Sequence, residues 1–404
     1  MKKKILIRDH RSLNNPKHGF TLIEMLISSS IMLIVILGTL SLYMRSNKVA
    51  VDQQQFAALQ HDVRSGMFFI ARDVRSAGVG LPVGIAGYFI EGKDAFGPTP
   101  EASDSIKVMG NFDDPLDLRI ESYAGGIGGG AATAFLEDYS LENAPYPCPD
   151  FYENRTVLIV STTCPNCFCF RYIGDNSVYG CGEGAEHFNM QPGQAKLNPP
   201  GGLVSGTNCS SGCTGADCFI GAIVTMGQIK QYWVDTTGNP GDYSSDFNLA
   251  VGQDGYLGIA NTLYLSTMDE GGNLIHLPLA QNIESLQFQY VGDFDGDGDL
   301  DANDVKNWDN VNWTIEPDDD EVTKQTKLDI ICQIRQVKIW VLGRTENPFV
   351  SVSGTPPPKL YLYRRPDVAN SPKSDQDDKH RRFLLESTAM IRNVSLNLYN
   401  AGTR

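Results

Sequence analysis

The feature that most restricts this chain is an apolar run that begins only after a basic leader. Residues 1–19 carry Lys2, Lys3, Lys4, Arg8, Arg11 and Lys17 against Asp9 alone. The run opens at Phe20-Thr21-Leu22-Ile23-Glu24 and stays uncharged from Met25 to Tyr43. About 20 apolar residues are enough to cross a bilayer as a helix. An ordinary secretory signal places its cleavage point beyond the apolar core. Here the obvious break, Gly19-Phe20, precedes the core, so cutting there leaves the apolar segment on the mature protein. Losing the leader takes the formal net charge from −15 to −20. The basic flank also fits the positive-inside tendency of a single N-terminal anchor.

Glu24 is the anomaly in this segment. A carboxylate one turn into an apolar helix costs several kcal/mol unless it is paired. A plain anchor gains nothing from it, so an intramembrane acid of this kind is read as functional. The helix is expected to continue past Tyr43, because Val49, Phe56, Leu59, Val63, Met67, Ile70 and Val74 fall at helical spacing. Gly78, Gly80 and Pro82 then stop it. Residues 20–43 form the transmembrane half and 44–80 an amphipathic half whose stripe needs a domain to cover it.

Beyond residue 80 the pattern becomes short β-type runs broken by Gly, Pro, Asn and Asp. Candidate strands are 105–109, 116–122, 156–161, 222–226, 229–234, 262–266, 283–291, 330–342 and 395–399. No strand–helix alternation is present, so the sheet is expected to be antiparallel. An acidic chain is a poor non-specific nucleic-acid binder, since phosphate neutralisation needs a basic surface. Ala124–Ala131 (AGGIGGGA) fits G-x-G-x-x-A but lacks a phosphate-loop Lys-Ser/Thr, and it is read as a flexible loop.

The nine cysteines split into eight within 148–218 and a lone Cys332. The eight are Cys148, Cys164, Cys167, Cys169, Cys181, Cys209, Cys213 and Cys218. Cys164-x-x-Cys167 is followed by Phe168, so a covalent haem motif fails. A zinc cluster is conceivable, but the spacing matches no familiar knuckle. An even set in a Gly/Pro/Asn-rich insertion of an exported domain reads as disulfides, with pairing left open. Cys332 is read as a buried free thiol in an apolar strand.

The most chemically specific segment is 293–304. Asp293, Asp295, Asp297, Asp299, Asp301 and Asp304 occupy loop positions 1, 3, 5, 7, 9 and 12, with Gly298 at the sharp turn. That is the calcium-loop pattern D-x-[DN]-x-[DN]-G, so Ca2+ is the expected ion. Position 7 ordinarily offers a backbone carbonyl, which leaves the Asp299 side chain turned away. Without a cation, six carboxylates in twelve residues repel one another. Asp318 to Glu321, by contrast, reads as an exposed charge run.

The string His18-Gly19-Phe20-Thr21-Leu22-Ile23-Glu24 resembles the type IV prepilins and pseudopilins. Three further stretches, Phe68 to Gly78, Ile283 to Tyr290, and Val337–Arg344 with Arg382 to Asn393, resemble PilW-type minor pilins. The resemblance implies an α+β fold, type IV pilin-like, with a long N-terminal helix packed on an antiparallel sheet domain (81–404) bearing large loop insertions. It implies that a prepilin peptidase cuts between Gly19 and Phe20 and methylates Phe20, and that Glu24 pairs with the amine of a neighbouring subunit. It further implies an inner-membrane, single-pass protein that reaches the cell surface once assembled. Partners would be other minor pilins, the major pilin, a tip adhesin and the inner-membrane assembly platform. At 385 mature residues the chain is large for a shaft subunit, which suggests priming of assembly from a tip complex. The alternative is a J-type minor pseudopilin of type II secretion; those are usually much shorter. A membrane-tethered adhesin or enzyme is a lesser alternative: the four mature histidines form no zincin motif and no G-x-S-x-G elbow is present, so no enzyme is expected.

Overall fold

The structure is a computed structural model that describes residues 19–79, 89–98, 102–110, 118–124, 133–136, 155–164, 167–174, 178–179, 187–190, 213, 216–243, 247, 249–252, 254–269, 273–309, 313–314, 319–348, 365–369, 378 and 380–391. Residues 1–18 of the leader, the Ala124–Ala131 loop after its first residue, the 395–399 strand and the Gly80 and Pro82 stops lie outside the described residues. In chain order the elements are α1 (Leu22–Arg75), β1 (Ile90–Lys93), β2 (Ser105–Gly110), β3 (Leu118–Ala124), β4 (Thr133–Leu136), β5 (Arg155–Val160), β6 (Phe168–Ile173), β7 (Val178–Tyr179) and β8 (His187–Asn189). Then follow β9 (Ile223–Thr225), β10 (Gln228–Asp235), β11 (Thr262–Met268), β12 (Leu274–Ala280), β13 (Ile283–Gly292), β14 (Val305–Lys306), α2 (Glu321–Ile331), β15 (Ile334–Arg344) and β16 (Arg382–Met390). A long apolar N-terminal helix followed by an antiparallel, sheet-rich domain is the α+β, pilin-like arrangement that the sequence implies.

The chain divides into two compact units, Met1–Gln54 and Gln55–Arg404. In the first, α1 presents its apolar side chains outward: Leu26, Ile34, Leu37 and Leu42 are all exposed. In the second, the same helix buries Leu59, Val63, Met67, Ile70 and Val74 along one face. The expected stripe therefore starts at half-buried Phe56, and Val49 is exposed. Helix geometry gives way at Arg75, and Gly78 takes φ +76, a left-handed conformation suited to a helix exit.

Three antiparallel sheets surround this frame. The first has the order β1-β2-β10-β11-β12, the second β14-β13-β15-β16, and the third β6-β5-β9-β3-β4-β8-β7. The helix stripe packs on the first two: Ile90, Ile106, Val108, Tyr232 and Leu263 from one, and Leu286, Phe288, Val337, Ile339 and Val341 from the other, share its core. Close approach is achieved with glycine. A Cβ at Gly66 would fall 2.7 Å from Leu263, and one at Gly343 would fall 2.6 Å from both Leu59 and Val63. Ser103 and Asp104 stitch the two sheets together, because Asp104 N–H donates to Leu286 O (2.7 Å) and Asp104 Oδ2 accepts from Phe288 N–H (2.9 Å). Burial pushes the Asp104 carboxyl well above its usual range, with Asp94 and Asp309 adding to the shift.

One charge sits inside the helix stripe. Asp73 is buried, yet Arg72 Nε (2.7 Å), Tyr232 Oη (2.6 Å) and Lys230 Nζ (3.3 Å) surround it. Burial alone would raise its pKa; Arg72, Tyr232 and Lys230 outweigh that and lower it. A buried carboxylate so paired is tolerated where a lone one is not.

The other face of the first sheet carries an aromatic cluster around Trp233, with Phe96, Tyr243, Phe247, Tyr256 and Tyr264. Trp233 Nε1–H donates to Ser266 Oγ, and Ser266 Oγ lies 2.7 Å from His276 Nδ1. The serine oxygen accepts the indole N–H, and its own hydroxyl proton can donate to His276 Nδ1 when the imidazole is neutral. Burial lowers the His276 pKa, opposed by Asp254.

Two sequence expectations are corrected in this region. The 330–342 run is not one strand: Ile330 and Ile331 close α2, Cys332 is its C-cap, and β15 begins at Ile334. Cys332 is thus a half-buried free thiol at a helix end, pushed up to about 11 chiefly by burial. The acidic run before α2 is not merely a solvated charge run either. Asp320 is the N-cap, accepting from Thr323 N–H at 2.7 Å, and Asp319 pairs with Lys327 at 2.7 Å.

Candidate functional site

At the N-terminus, Gly19 and Phe20 precede the helix and are fully accessible, which is what a peptidase at that bond requires. Helix α1 starts with a local clasp. Thr21 Oγ1 accepts from Glu24 N–H (3.3 Å), while Glu24 Oε2 accepts from Thr21 N–H (2.9 Å) and the Thr21 hydroxyl (3.0 Å). This is a capping box, and the acid also sits at the positive end of the helix dipole. Thr21 is a functional neighbour of Glu24 that the apolar run conceals; the T-x-x-E spacing is its signal in the sequence. Among the described residues, α1 is the one helix long and apolar enough to cross a membrane.

The acidic loop joins β13 to β14 as an extended hairpin, with Tyr290 opposite Lys306 and Val291 opposite Val305. Among the described residues, strands rather than EF-hand helices flank it. Carboxylate oxygens of Asp293, Asp295 and Asp297 lie within 4.8 Å of one another. Each also accepts a loop N–H through Oδ1: from Gly296 (2.9 Å), Asp297 (3.3 Å) and Asp299 (2.9 Å) respectively. Gly296 at φ +77 and Gly298 at φ +87 make the turns that aim these side chains inward.

The other three candidates are placed differently. Asp299 lies outside that group, in line with a position-7 residue, and Asp301 accepts from Asn303 N–H at 2.6 Å. Asp304 is fully buried at the neck, where Oδ1 accepts from Phe294 N–H (2.9 Å) and Oδ2 from Asp301 N–H (3.1 Å). It closes the loop upon itself. Phe294 in turn packs on Trp313, which meets Trp308 and Tyr290, so the loop is pinned to the core by an aromatic cluster.

The described cysteines of the 148–218 segment are disulfide-bonded. Cys164–Cys218 and Cys167–Cys213 are nested, with Cα–Cα distances of 5.2 and 4.6 Å. Cys169 is disulfide-bonded as well. Cys148, Cys181 and Cys209 lie outside the described residues. The segment is more than a loop insertion, since its described parts supply β5 to β8 of the seven-stranded sheet, and Cys167, Cys169 and Cys218 are buried in that sheet's own core.

Residues 14–40 match the family described as the prokaryotic N-terminal methylation motif. Neither the curated proteins nor the solved structures yielded a match. The motif together with the apolar helix that carries it is type IV prepilin-like. It supports a pilin- or pseudopilin-like role for a membrane-anchored protein that engages pilin assembly machinery.

Proposed function

We propose that this chain is a minor pilin of the PilW type that primes type IV pilus assembly within a tip complex. The observation that carries the reading is Glu24, an acid inside an apolar helix that begins directly after the Gly19-Phe20 bond. On this reading the inner membrane holds the helix, the domain lies outside the cytoplasm, and the leader is removed with methylation of Phe20. Glu24 then exchanges its Thr21 clasp for the amine of an adjoining pilin. The other minor pilins, the major pilin, a tip adhesin and the assembly platform are the partners.

The acidic loop is proposed as a structural Ca2+ site. Asp293, Asp295 and Asp297 would hold the ion, which would relieve their mutual repulsion and stiffen the β13–β14 hairpin. Asp304 organises the loop from beneath. No group on the chain is assigned a catalytic role.

The deciding experiment compares sheared surface filaments with the cell envelope. Wild-type protein is expected in the filaments with its mature N-terminus at Phe20, and Glu24→Ala is expected to insert normally yet to be lost from them. Equal recovery of the variant would refute the pairing role. Retention of the wild-type protein in the envelope of a secreting, pilus-free cell would move the reading to a J-type pseudopilin.

A further inference from the structure

On the outer face of the first sheet lies a cleft of about 500 Å³, inside the size range of small-molecule sites. Its floor follows from the strand register. Glu91 pairs with Lys107, and Lys107 with Gln231, so one polar row crosses β1, β2 and β10. Lys93 and Ser105 form the next row. These side chains share a face because β1 alternates buried and exposed, with Ile90 and Gly92 turned to the core. Glu91 and Lys107 form a 2.7 Å ion pair while both stay substantially exposed.

The walls complete a specific chemistry. Phe96 and Phe247 border one side from within the buried Trp233 cluster, with the Lys93 amine 5.3 Å over the Phe96 ring, and Asp309 with Thr314 closes the other. The cleft is also rigid beneath. Gly92 lies directly against the Tyr290 hydroxyl and within 2.9 Å of Trp308, measured from a Cβ position, so no side chain could rise there. Trp308 Nε1–H is itself tied to Thr314 Oγ1 at 3.0 Å.

The lining sets two carboxylates, Glu91 and Asp309, against two amines, Lys93 and Lys107, in a chain of net charge −15. That balance disfavours a phosphate, which would meet the acids, and a cation, which would meet the lysines. Alternating donors and acceptors along one strand-crossing row suit the vicinal hydroxyls of a sugar ring. We propose that this cleft binds a neutral saccharide, with Glu91, Lys107 and Gln231 hydrogen-bonding its hydroxyls. The site lies apart from the cysteine-rich sheet, and its assignment stands independently of both the filament and the calcium readings.

The test uses the mature full-length chain in zwitterionic micelles free of sugar headgroups. Galactose, lactose, N-acetylglucosamine and chitobiose are titrated by saturation-transfer NMR and calorimetry, with sialyllactose as a charged comparator. At least one neutral sugar should bind saturably. Glu91→Gln and Gln231→Ala should each weaken it by about tenfold, the loss of one hydrogen bond to a polar or charged group. Thermal melting of both variants should match the wild type, since exposed ion pairs contribute little. If either melts early, Lys107→Met, which keeps its stem on the sheet, takes its place. Phe68→Ala, on the exposed side of α1, should bind as the wild type does. No saturable binding of any neutral sugar up to roughly 10 mM would overturn the proposal. So would undiminished binding in the cleft variants, or a preference for sialyllactose.

Discussion

Two cores of the domain solve the same problem by different means. The one beneath α1 is built from long strands: β13, β15 and β16 run 10, 11 and 9 residues, and the helix stripe covers them and the first sheet together. The seven-stranded sheet has strands as short as 2 and 3 residues and its own smaller core. No described α-helix lies among that core's residues; a single 3-10 turn, Ala216–Phe219, supplies Cys218 and Phe219, and cystines close the core. Where a helix can bury a continuous apolar face, packing suffices. Where strands are too short to do so, crosslinks limit the unfolded ensemble.

The sharpest way to break this contrast is to attack each core with the other's remedy absent. Ile70→Ala, at a fully buried helix position, should destabilise the domain by about 2–5 kcal/mol in denaturant unfolding, whether or not reductant is present. Replacing Cys164 and Cys218 together by serine should cost about 2–4 kcal/mol. That loss should appear as early hydrogen exchange in β5, β6 and β9 while α1 and β15 stay protected. Uniform loss of protection would show the two cores to be one cooperative unit.

Calcium addresses a third kind of support, on the helix-backed side alone. On the proposed reading, saturating Ca2+ at a hundredfold excess over its Kd should stabilise the domain by about 2.7 kcal/mol. It should also change tryptophan emission, because Phe294 packs on Trp313. Asp293→Ala with Asp297→Ala should abolish both responses, and a flat response in the unaltered protein would remove the ion from the account.

The smallest effect concerns pH. His276 is depressed in the folded state, so the unfolded chain binds the extra proton first. Stability should be unaffected by this group above about pH 6.5, the ordinary histidine value, and should fall as pH drops below it. His276→Asn, which keeps an acceptor for Ser266, should flatten that acid-side loss in thermal melts; an unchanged slope would assign it elsewhere.

Much of this architecture is legible in the sequence because it rests on periodicity. The spacing of Leu59, Val63, Ile70 and Val74 encodes the buried helix face, and β2, β10, β11 and β13 stand out as apolar runs between turn residues. What escapes the eye is structure made by pairing. β16 carries Arg382, Glu386 and Thr388, and is a strand because each of its residues finds a partner on β15. Helix α2 hides because its apolar end runs into β15 without a break, and its start is marked only by Asp320 and Thr323. The seven-stranded sheet hides for want of length. In the acidic loop the aspartate spacing is visible, yet which three carboxylates converge, and that Asp304 is buried as a clasp, depends on the turns at Gly296 and Gly298.

The Thr21–Glu24 clasp has a consequence for order of events. A chain resting alone in lipid keeps its one membrane acid occupied by its own backbone, so solitary subunits can accumulate without a stranded charge. On the proposed reading, entry into a filament is an exchange of one bond for another rather than the gain of a missing one. On that reading the clasp can re-form whenever the subunit leaves its neighbour, so the acid is never left bare in either state.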